Sequence, residues 1–108
     1  MTTTNIINVT PHDITIVMDG ATRTFPRTGQ VARVSQSETI VGSIDGIPVT
    51  EVVFGTPVDI PDPAPNTVFI VSRIVAAAMP DRDDFVIPGP AVRNEEGVII
   101  GARGFSRV

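Results

Sequence analysis

The side chains available to build a core in this chain are nearly all branched at Cβ or very small. Valine, isoleucine and alanine supply most of the apolar content, and leucine is absent. Branching at Cβ stiffens χ1 and lowers helix propensity, but it suits a pleated, half-buried surface. Ten prolines and nine glycines cut the chain into short pieces. Together these features favour strands joined by turns. A length of 108 residues, 42% of them apolar, is enough for a single domain spanning residues 1–108 with a modest core.

Composition also narrows the function. With no cysteine there is no disulfide, thiol nucleophile or thiolate metal site. The opening MTTTNIINVT has no basic region followed by an apolar stretch, and no apolar run reaches the roughly 18 residues of a membrane span. A cytoplasmic protein with no membrane partner is therefore expected. A net charge of −4 argues against duplex nucleic acid as a partner. Every basic residue is an arginine, at 23, 27, 33, 73, 82, 93, 103 and 107. Guanidinium groups suit bidentate contact with phosphate or carboxylate, so a small anionic ligand is the better fit.

The pattern predicts an α+β class: a compact, mostly antiparallel β domain with one short helix. Residues 1–5 are polar and expected to fray. Residues 14–18 and 22–25 read as a hairpin closed by Asp19-Gly20, and 30–34 as a further short strand. Residues 39–44 and 47–54 form the clearest hairpin, turned by Asp45-Gly46. PVDIPDPAPN, at 57–66, carries four prolines in ten residues and reads as an extended surface connection. Residues 67–71 are the best buried strand. Ser72 then caps a helix over 73–79, which three alanines favour and Pro80 stops. Residues 85–87, 92–93, 97–100 and 101–108 complete the strands, with Gly101 and Gly104 marking a bulge or a close backbone approach.

Candidate ligand contacts cluster on arginines and rings. Arg73 follows the helix cap and is expected to project from the helix mouth, while Ile74, Val75 and Ala78 turn inward. The alternative pairs it with Asp83 or Asp84, as a structural contact. Asp83-Asp84 reads as a solvated turn paired with Arg82 rather than as a metal site. His12, the single histidine, stands in NVTPHD. It is either a general base helped by Asp13 or part of a turn in which Thr10 or Asp13 bonds local backbone. Arg103 and Phe105 combine a cation with a ring, which suits phosphate and base. No phosphate-loop, dinucleotide or nucleophile-elbow motif is present.

NVTPHDI, RTGQVARVS, IDGIPV, NTVFIVSRIVAAAMPDRDDFVIPG and RNEEGVIIGARGFSRV resemble a family of small phage and prophage proteins over nearly the whole chain. The resemblance carries over no catalytic residue. It implies a phage-derived protein acting against host defence in the host cytoplasm. The reading is a homo-oligomeric binding protein that sequesters a small nucleotide signal, a cyclic dinucleotide or an ADP-ribose derivative. Ser72, Arg73, Arg82 and Arg103 would meet phosphates, Phe85 or Phe105 a base, and His12 the periphery. No cofactor, metal or catalytic residue is assigned. The alternatives are a small phosphodiesterase using His12, and a virion or protein-binding module.

Overall fold

The protein is described from a computed structural model covering residues 4–108. Ten strands and one helix follow in the order β1 (Asn5–Asn8), β2 (Ile14–Met18), β3 (Ala21–Phe25), β4 (Gln36–Ile44), β5 (Ile47–Phe54), β6 (Thr67–Ile70), α1 (Arg73–Ala78), β7 (Phe85–Pro88), β8 (Ala91–Arg93), β9 (Ile99–Ala102) and β10 (Phe105–Ser106). The predominance of strands and the single short helix agree with the sequence reading.

Three sheets form. The central one runs β1-β6-β7-β10, a second runs β3-β2-β9-β8, and β4 and β5 stand alone as a two-stranded arm. The pairing is mixed: four strand pairs are antiparallel and three are parallel. β1 lies parallel to β6, β6 to β7, and β2 to β9. For β6 and β7 the cause is α1, which carries the chain from the end of β6 back to start β7 in the same direction, as parallel pairing requires.

The central sheet is buried on both faces. Phe69, Val71, Phe85 and Ile87 pack on one side with Val75 of the helix, Val9, Ala32 and Val34. Ile70 and Val86 turn to the other side and meet Ile16, Phe25 and Ala102 of the second sheet. This explains why FIV and FVI are unbroken apolar runs: a strand covered on both faces has no polar side to alternate with.

Local signals place several boundaries. Ser72 Oγ accepts from Val75 N at the start of α1, and the chain leaves the helix at Met79, one residue before Pro80. Asp45 and Gly46 both have positive φ, 50° and 78°, as a two-residue hairpin turn of mirror type needs. An added Cβ on Gly101 would lie 2.8 Å from the Thr15 carbonyl oxygen and 2.9 Å from Val17 Cγ2, so this glycine is the expected close approach.

Other boundaries differ from the reading. Residues 30–34 give only an isolated bridge, Arg33 to Val58. The final strand shortens to Phe105–Ser106. Residues 1–3 of the expected frayed segment lie outside the described residues, but Asn5 pairs with Thr67 as the start of β1. Among the described residues no helix is long and apolar enough to cross a membrane.

Candidate ligand site

The NVTPHD stretch closes on itself. Asn8 is 1% exposed. Its Nδ2 donates to the carbonyls of His12 at 2.7 Å and Phe25 at 2.8 Å. Its Oδ1 accepts from Thr10 N at 2.9 Å and lies 2.7 Å from Thr10 Oγ1. Asp13 Oδ1 accepts from Arg27 N. A buried amide needs partners for its donors and its acceptor, and here three of the four are backbone groups, those of Thr10, His12 and the distant Phe25. His12 contributes its main chain to this knot, and its side chain stays exposed. The motif is thus a structured turn, and Asn8 is its centre.

Arg82 is committed to the protein itself. Its Nε and Nη2 meet Asp84 Oδ1 and Oδ2, each at 2.8 Å. Its guanidinium carbon lies 4.2 Å from the centroid of Phe85. Hydrogen bonds from Arg82 hold the Asp84 carboxyl below the usual carboxylate range, against the upward push of burial. The same contact raises the Arg82 pKa. Phe85 is a core side chain, set edge-on to Phe69 at 6.2 Å between centroids. It offers no open ring face for a base. Phe105 packs against Phe25 at 5.8 Å and leans on the second core cluster. Beside Arg82, Arg107 donates to the Asp83 carbonyl.

Three of the sequence-predicted arginines line three separate depressions within one chain. Arg82 borders one with Asp83, Met79 and Arg107. Arg103 borders another with Asp19, Val17 and Val92. Arg73 borders a third with Gln36, Phe54, Ile74 and Ala77. They do not converge on one seat.

The Arg73 depression holds about 300 Å³. Arg73 is exposed, while Val75 is buried and Ile74 and Ala78 half-buried, so the residue projects from the helix as expected. No carboxylate pairs with it among the described residues: the ion pairs are Arg33–Asp59 and Arg82–Asp84. Across the gap, Phe54 is 39% exposed and lies opposite Gln36 in the β4–β5 register. Phe54 and Gln36 were not foreseen as site residues. They belong to a hairpin, and nothing local shows that its base stands over α1. A depression of about 360 Å³ elsewhere, between Ile14, Pro88 and Ile100, has Asp13 as its one charged side chain, which suits no anion.

Among the described residues no group of three or more His, Cys, Asp or Glu side chains gathers. No protein-family model, no curated protein and no solved structure matches the chain.

Proposed function

We propose that the protein is a binding protein that sequesters a small anionic nucleotide without cleaving it, in line with its resemblance to phage proteins. One observation carries this reading. An unpaired guanidinium, Arg73, an open ring, Phe54, and an amide, Gln36, surround one depression at the foot of α1. A guanidinium suits phosphate, a ring face suits a base, and an amide can meet a base edge with donor and acceptor. The volume falls at the lower end for small-molecule sites. Arg82 and Phe85 are not part of this site, because Arg82 is bound to Asp84 and stacked on Phe85, which is a core side chain.

A protein-binding role is the second reading, favoured by the exposed apolar β4–β5 arm. The phosphodiesterase reading draws less support. His12 is not among the residues around Arg73, and its turn is occupied with holding Asn8.

Calorimetry against a panel of cyclic dinucleotides and ADP-ribose derivatives tests the proposal. Binding is expected for at least one compound. Chromatography after denaturing the complex should return it intact. Silence across the panel defeats the ligand reading, and recovered fragments would replace sequestration with hydrolysis.

A further inference from the structure

Beyond its base, where Gln36 and Phe54 border the helix, the β4–β5 arm has no cover within its own chain. Every residue of Gln36–Ile44 and Ile47–Phe54 is exposed, and the two strands pair only with each other. Ile40, Val41, Ile44, Ile47, Val49, Val52, Val53 and Phe54 all stand in solvent. A lone two-stranded ribbon is marginal in water. Edges of this kind are normally guarded by lysine or inward-pointing charge. Apart from Pro48 and a bulge between Ile40 and Gly42, the arm is guarded only by Glu38, Asp45 and Glu51, and it has neither lysine nor arginine.

The size of the uncovered surface can be judged. A monomer of 11.4 kDa should expose about 5,800 Å², whereas this chain exposes 7444 Å². The radius of gyration is 16.9 Å, against about 13 Å for a compact domain of this length. The excess, about 1,700 Å² per chain, is twice the ~800 Å² that each partner contributes to a standard interface.

We infer that the arm is buried against a second copy of this chain. Three arguments select that occupant. An excess this large matches a permanent interface rather than a passing contact. The arm is rich in valine and isoleucine, like a domain core cut in half, and lacks the tyrosine, tryptophan and arginine typical of hot spots in recognition surfaces. A permanently exposed apolar arm needs a cover in equal supply, and a symmetric homo-oligomer provides one. Strand alternation and the register put Ile44, Ile47, Val49 and Val53 on one face of the arm, with Glu51 as the one charge among them. Val52 and Phe54 lie on the other, with Phe54 over the helix. The face bearing Ile44 and Ile47 is the one assigned to the second copy. This inference stands apart from the ligand reading and is tested without nucleotide.

The test is sedimentation of the full chain at micromolar concentration. Wild type should have a mass that is a multiple of 11.4 kDa. Ile44→Glu/Ile47→Glu should fall to the single-chain mass with an unchanged far-ultraviolet circular dichroism spectrum, because neither residue belongs to the core. Hydrogen exchange on wild type needs no variant. Amides of β4 and β5 should be protected in the assembly and exchange at least tenfold faster on dilution to single chains. A single-chain mass for wild type would overturn the inference and leave another protein as the cover. So would a folded double variant that keeps the wild-type mass, or arm amides that exchange freely in the assembly.

Discussion

Asn8 holds the main-chain carbonyl of Phe25, seventeen residues away, through a buried hydrogen bond of 2.8 Å. The same amide nitrogen bonds the His12 carbonyl, so one side chain ties the end of β1 to the end of β3. Replacing it removes partners that buried backbone has no water to substitute for. Asn8→Ala should cost about 2–4 kcal/mol of stability, from two or more abandoned polar groups. Urea denaturation of the variant beside wild type measures this, and a loss below the range would mean the loop opens to solvent.

The Arg82–Asp84 contact should shape the acid limb of stability. Its folded-state carboxyl pKa is depressed, chiefly by the Arg82 hydrogen bonds. The contribution is therefore present above the ordinary aspartate pKa of about 3.9 and is lost as pH falls through the lower folded value. Asp84→Asn should reduce stability at pH 7 by about 1–3 kcal/mol and flatten the decline towards acid. Thermal melts of both proteins at neutral and acid pH would reveal it. Parallel acid limbs would show that the pair contributes nothing.

Gly101 lets β9 lie close beside β2. Its φ is not in the left-handed region, so an alanine would meet sterics alone: carbonyl oxygen at 2.8 Å and a valine methyl at 2.9 Å from the new Cβ. Gly101→Ala should destabilise by about 1–3 kcal/mol, as overpacking does. The chemical denaturation midpoint checks it. Gly97→Ala is the contrasting case, because its added Cβ meets nothing and its positive φ of 81° alone opposes the change.

Arg73 offers a cleaner test of function than of stability. Arg73→Ala should leave stability within about 0.5 kcal/mol, as for an exposed side chain without special contacts. It should weaken nucleotide binding at least tenfold, about 1.4 kcal/mol or more. Arg33→Ala is the control, since Arg33 pairs with Asp59 at an exposed site where an ion pair is worth little. Calorimetry of both variants with a ligand that binds wild type separates the effects. Equal weakening would mean that general charge is responsible.

The sequence alone determined what depends on neighbours along the chain. Asp45-Gly46 fixed a hairpin because both positions must take positive φ. Ser72 and Pro80 bounded the helix because capping and the missing proline N–H act over a few residues. Apolar runs at 67–71 and 85–87 announced strands, though not that both faces would be covered. Tertiary structure decided the rest. β1 was missed because NIIN is short and gains its place only by pairing with distant β6. The parallel order of β6 and β7 came from the α1 crossover between them, and that of β1 with β6 and β2 with β9 from pairing between strands far apart in the chain. Which arginines are paired was settled by whether a carboxylate came within reach: among the described residues Asp59 took Arg33 and Asp84 took Arg82, and none took Arg73 or Arg103. Phe54 became a site candidate only because the base of the arm stands over the helix. Local conformational preference is encoded residue by residue, whereas a binding surface depends on long-range packing that brings distant side chains to one place.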